Sequence, residues 1–152
     1  MITIRKATIK DLTLLLDWGK EMYEVEKKFL PLLTYSPDES KNRYTKQIND
    51  PNFLFLIAEF DNVPVGYLYA HVDKIDYLST EFPQCEIEVI YLDVKARGMK
   101  ISGKLIAVAS DWAKEKKAFE IKAGIFAKNI ASQEAFKKAG FNLQHLTFTK
   151  TI

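Results

Sequence analysis

The stretch Glu86-Ile-Glu-Val-Ile-Tyr-Leu-Asp-Val-Lys-Ala-Arg-Gly-Met-Lys-Ile-Ser-Gly-Lys-Leu-Ile-Ala-Val-Ala-Ser-Asp-Trp112 decides the fold. It reads as a strand, a short glycine-bearing loop and a helix. Glu86, Glu88, Ile90, Leu92 and Val94 alternate with Ile87, Val89, Tyr91 and Asp93, which defines two faces of a strand. From Arg97 to Gly103 that period is broken. Ile101, Leu105, Val108 and Trp112 then recur at helical spacing and form one face of a helix. A loop that feeds the first turn of a helix leaves backbone N–H groups without partners. With the positive end of the helix dipole they make a site for an anion such as phosphate. Arg97, Lys100 and Lys104 add positive charge beside it.

Three readings of this loop compete. One is an ordinary strand-to-helix connection with its basic residues in solvent. The second is a nucleotide P-loop, because Gly98-Met-Lys-Ile-Ser-Gly103-Lys104-Leu105 fits G-x-x-x-x-G-K. That match puts Leu105 where a hydroxyl should hold a magnesium ion, and leucine cannot ligate a metal. The third is a loop for an acyl-coenzyme A diphosphate. Arg97-Gly-Met-Lys-Ile-Ser102 resembles the R/Q-x-x-G-x-G/A signature of the GCN5-related N-acetyltransferase (GNAT) family, with Lys100 and Ser102 at the two later small positions. Asn129-Ile-Ala-Ser132-Gln-Glu-Ala-Phe136-Lys-Lys138-Ala-Gly140-Phe141 resembles the family's second signature, with Phe136 where its tyrosine usually stands. The two segments together favour the third reading.

The resemblance implies a fold and a chemistry. The fold is α/β: a mixed, largely antiparallel sheet flanked by helices, the acyl-CoA N-acyltransferase fold, with a parallel strand pair that splays to admit acetyl-CoA. The backbone of Leu92 and Val94 would pair with the cofactor's arm. Arg97, Gly98, Met99, Lys100, Ile101, Ser102 and Gly103 would hold its diphosphate. Asn129, Ser132 and Phe136 would complete the cofactor site from the second signature. Glu86 and Glu88 are the candidates for the base that takes a proton from the amine. Two carboxylates on an otherwise apolar strand face are unexpected unless the strand end is exposed or the pair has a task. The implied activity is N-acetylation of a small-molecule or peptide amine. A non-catalytic acyl-CoA sensor of the same fold is the alternative, because phenylalanine at position 136 has no proton to donate.

The remaining chain supplies the frame. At 152 residues a single domain over 1–152 is expected, large enough for a sizeable core. The formal charge is only +2, so composition gives no case for nucleic acid or an anionic membrane surface. A lone cysteine, Cys85, cannot close an internal disulfide, and the N-terminus lacks the apolar core of a signal peptide. A cytoplasmic location is expected.

Residues 2–6 read as a strand. Thr8 and Asp11 then start a helix carrying Leu12, Leu15, Leu16, Gly19 and Met22. Ser36-Pro37-Asp38-Glu39 starts a second helix. Phe53–Phe60 and Val63–Asp73 read as a hairpin turned at Asp61-Asn62, with Gly66 marking a bulge. Val25–Tyr35 and Lys74–Gln84 are irregular and are candidate walls of the acceptor pocket. Glu120–Ala127 reads as a strand, and Phe141–Ile152 as a last one through which a homodimer is conceivable. His71 and His145 read as packing or surface residues, with no metal-ligand spacing around them.

Overall fold

The structure is a computed structural model that describes residues 1–73 and 82–152. The expectation for the loop at 74–81 lies outside those residues. The described chain runs β1 (Ile2–Lys6), α1 (Leu12–Glu26), α2 (Pro37–Gln47), β2 (Phe53–Phe60), β3 (Val63–Asp73), β4 (Gln84–Leu92), α3 (Ile101–Glu115), β5 (Ile121–Ala123) and α4 (Ile130–Lys138). The five strands form one open sheet in the order β1-β2-β3-β4-β5. The first three pairings are antiparallel and β4–β5 is parallel. The mixed, largely antiparallel sheet expected from the sequence is therefore present.

Local chemistry explains most boundaries. Asp11 accepts from the Thr8 backbone N–H at 2.8 Å, ahead of α1. The Ser36 hydroxyl accepts from Glu39 N–H at the start of α2. Asp61 and Asn62 both have positive φ, 49° and 65°, as a two-residue hairpin turn with the right twist requires. The α3 stripe is Ile101, Leu105, Ile106, Ala109, Trp112 and Ala113; Val108 lies off it and is exposed. This stripe and Phe136 of α4 pack on one face of the sheet, against Leu54, Leu56, Leu68, Ala70 and Ile87. Leu15 and Trp18 of α1 and Tyr44 of α2 pack on the other, against Phe55, Ile57, Tyr67, Tyr69 and Tyr91.

Three expectations are corrected. The strand expected over Glu120–Ala127 is paired only at Ile121–Ala123, opposite Cys85–Ile87, because the chain then diverges from β4. The segment after Phe141 is not a strand. Leu143, Leu146 and Phe148 are exposed, and a three-residue β5 offers too short an edge to pair with it. Third, β4 does not keep one period. Tyr69 opposes Val89 and Ala70 opposes Ile87, so Glu88 is an extra residue, a β-bulge. The bulge separates residues expected on one face: Ile90 and Leu92 pack on the α3 side, while the Glu86 and Glu88 side chains reach partners on the α1 side.

Gly66 carries a steric duty beside a second bulge between β2 and β3. A Cβ built there would lie 2.4 Å from the Tyr91 carbonyl oxygen and 2.6 Å from a Leu92 methyl. Backbone on a central strand cannot move aside cheaply. Gly66→Ala is expected to cost about 3 kcal/mol or more, read as a lower midpoint in urea unfolding with an unchanged slope.

Candidate functional site

The splay, the loop and the carboxylates all hang on β4. Below Glu88, β4 is bonded on both sides, to β3 and to β5. Above it only the β3 side is bonded, through to Leu92. The outer edge of β4 from Glu88 to Leu92 therefore lacks a strand partner among the described residues, a place where an extended ligand can add as a strand would. Leu92 ends the strand. Val94 has already left it and stands 70% exposed in a one-turn 3-10 helix, Val94–Ala96.

The loop leads straight into α3. Asp93 caps the 3-10 turn through Lys95 N–H at 2.9 Å. Gly98 has φ 79°, and Lys100 has φ 59° at the N-cap of α3. A left-handed lysine costs about 1 kcal/mol that a glycine would not, so this departure from the signature is a strained one. The helix begins at Ile101, which puts Ser102 and Gly103 in its first turn. Among the described residues no side chain caps that turn. The first backbone bond is a long one, Lys104 N–H to Lys100 O at 3.4 Å. The N–H groups of Ile101, Ser102 and Gly103 are left available. A Cβ added at Gly98 or Gly103 would meet nothing within 4 Å, so the space above the loop is open. Bare donors, a helix dipole and open room fit a diphosphate.

The second signature is divided in its duties. Asn129 is the N-cap of α4, its Oδ1 accepting from Ser132 N–H at 3.2 Å. The Asn129 amide nitrogen remains as a donor. Phe136 is buried and packs edge-on against Phe141, ring centroids 5.0 Å apart. It is part of the core as well as the position where a hydroxyl would be looked for. Tyr91 does not replace it: its hydroxyl bonds Glu21, on the α1 face, and burial pushes its pKa up.

The two glutamates differ. Glu86 Oε2 pairs with Lys122 Nζ of β5 at 3.0 Å. Glu88 Oε1 lies 2.8 Å from Nε2 of His71 on β3. Asp73 Oδ2 lies 2.6 Å from the other ring nitrogen, out of line for a hydrogen bond. The bond to His71 holds the Glu88 carboxyl below its usual value. The same bond raises the His71 ring, against the opposing effect of burial. His71 is thus the residue that sequence reasoning set aside. Its signal is visible only in the pairing register, which sets it across from Glu86.

A cavity of about 280 Å³ opens on the α1 side of the sheet beside this group. Val89 lines it from β4, Glu26 from α1, Arg43 from α2, and Leu33, Thr34 and Tyr35 from the connection between the helices. Part of Val25–Tyr35 therefore lines this cavity. Burial, and then the Glu88 charge, raise the Glu26 carboxyl above its usual value.

Comparison with known proteins agrees with this geometry. The model of the acetyltransferase (GNAT) family matches residues 16–141. No curated protein matches the chain at the sequence level. The solved aminoglycoside N-acetyltransferase AAC(6')-Iy, bound to a CoA bisubstrate analogue, superposes with a TM-score of 0.80 at 18% identity, covering 100% of this chain and 99% of that one. An aminoglycoside acetyltransferase from an uncultured soil metagenomic sample, with sisomicin, gives 0.74 at 21% identity, over 99% and 96% of the two chains. Glucosamine-6-phosphate N-acetyltransferase from Arabidopsis thaliana gives 0.74 at 15% identity, over 99% and 98%. At such identities the likeness is one of fold.

Proposed function

The chain belongs to the acetyltransferase (GNAT) family, and from that premise we propose that it is one domain that transfers an acetyl group from acetyl-CoA to a primary amine of a small molecule or peptide. The observation that carries this reading is the convergence on β4 of an unpaired strand edge, an uncapped helix start and a bulged carboxylate beside a cavity.

Acetyl-CoA, when bound, supplies the acetyl thioester. The N–H groups of Gly98 to Gly103 hold the diphosphate, with Arg97, Lys100 and Lys104 adding charge. The outer edge of β4, ending at Leu92, and the Asn129 amide hold the arm. The acceptor amine enters from the cavity. As its nitrogen bonds the acetyl carbon and the carbon–sulfur bond breaks, its proton must leave. Glu88 receives that proton, directly or through water, with His71 positioned to share it. Glu86 is already neutralised by Lys122 and serves as a structural tie between β4 and β5. Phe136 offers no acid, so the departing thiolate takes its proton from water, which is feasible near its own pKa.

Titration calorimetry with acetyl-CoA, followed by thiol release across an amine panel, tests the reading. Saturable binding with amine-dependent thiol release is expected. Binding without turnover on any amine would leave a binding module, and no binding by folded protein would sink both.

A further inference from the structure

The cavity on the α1 face is lined by side chains of both signs, Glu26 and Arg43, and no ion pair joins them. Glu26 is half-buried in the cavity wall, and burial, then the Glu88 charge, raise its carboxyl, so an ammonium placed beside it would offset both. Arg43 lines the same cavity and, among the described residues, has no carboxylate within ion-pair distance. Its guanidinium lies over the Tyr44 ring, 5.4 Å from the centroid. A guanidinium carries five N–H donors, more than one neighbouring tyrosine can use, so Arg43 retains donors for an anion.

A third group is unfilled. The Tyr67 hydroxyl is sealed from solvent and has no hydrogen-bond partner. Burial raises its pKa, and the neighbouring Tyr44 hydroxyl adds to the shift. Buried hydroxyls rarely go unpaired, and this one belongs to a residue that lines the cavity. A Cβ added at Gly19 of α1, another lining residue, would stand in van der Waals contact with the Tyr67 and Tyr35 hydroxyls, 3.9 Å from each. The volume sits at the small end of ligand pockets, which run from about 300 Å³.

We propose that the acceptor is a small amine that also carries an anionic group, a carboxylate or a phosphate, taken up in the cavity lined by Glu26, Arg43 and Tyr67. The ammonium is drawn by Glu26 and the anion by Arg43. A polycation fits poorly, because Arg43 opposes it. This rests on the reading of the cavity as the acceptor site.

Binding and turnover are measured separately on the full chain. With free CoA present, calorimetry compares glycine, β-alanine and phenylalanine with their carboxamides, aminoethyl phosphate with aminoethanol, and spermidine. Thiol release from acetyl-CoA is read on the same panel. In binding, one anionic class is expected to exceed its neutral counterpart by about ten- to a hundredfold, the worth of a hydrogen-bonded charge. Arg43→Gln is expected to bring that ratio back toward one. Arg43 is exposed, so the fold is not at risk. The carboxylate and phosphate arms separate the two sources of anion. Preference for the neutral amines or spermidine, no binding of any of them, or a ratio untouched by Arg43→Gln overturns the proposal. Selective binding lost in Arg43→Gln but without thiol release overturns the transfer reading and leaves the cavity's chemistry standing.

Discussion

Ser102→Glu is expected to weaken acetyl-CoA binding by about a thousandfold while leaving the protein as stable as before, or more so. Ser102 lies in the first turn of α3, where no described side chain caps the helix. A carboxylate there competes for the N–H groups that would hold the diphosphate. Two like charges about 4 Å apart near a protein surface repel by about 4 kcal/mol, which is close to three decades in Kd. The same carboxylate interacts favourably with the helix dipole, by about 0.3–1 kcal/mol. Calorimetry and thermal unfolding should therefore move in opposite directions, an outcome that general damage cannot produce. Ser102→Ala should bind normally, because the backbone does the holding. If Ser102→Glu binds acetyl-CoA like the parent protein, the diphosphate does not sit on this loop.

Glu88→Gln is expected to lower kcat by about 100- to 10,000-fold, the usual range for a general base, with the acetyl-CoA Kd unchanged. The sign of the pH dependence follows from the pair. Glu88 raises the His71 ring above its ordinary value, and His71 lowers the Glu88 carboxyl. The two titrate as a unit. Below the raised value the ring is already cationic, and a further proton could go only to the Glu88 carboxylate, whose affinity the ring lowers. Above it the ring is neutral and the pair can accept one. kcat/KM should therefore rise with pH through a value above that of a free imidazole. In His71→Gln that limb should disappear or move, since the ring no longer titrates. A profile identical in the two forms would remove His71 from the proton path. Glu86→Gln should act differently: it breaks the tie to Lys122 and should show mainly as a modest loss of stability.

Much of this molecule follows from local chemistry. The Ser36 cap, the Asp61-Asn62 turn and the Asn129 cap lie where short-range patterns put them, because caps and turns are satisfied by residues within three or four positions. The loop into α3 is legible for the same reason: glycine and basic residues before an apolar helical stripe leave few alternatives. Alternation in β4 misled where a bulge intervened. A period of two has no way to signal an inserted residue, and one insertion at Glu88 sent Glu86 and Glu88 to the face opposite Ile90 and Leu92.

The sequence by itself determined the strand–loop–helix unit, the family signatures and the mixed sheet, since each rests on periodicity or on neighbours along the chain. Only the tertiary structure decided which glutamate pairs with Lys122, that His71 reaches Glu88 across seventeen positions, and that Glu26, Arg43 and Tyr67 share one cavity. Those facts depend on strand register and on two helices meeting over one sheet face. Long-range pairings of that kind leave no repeat or spacing in the chain to read.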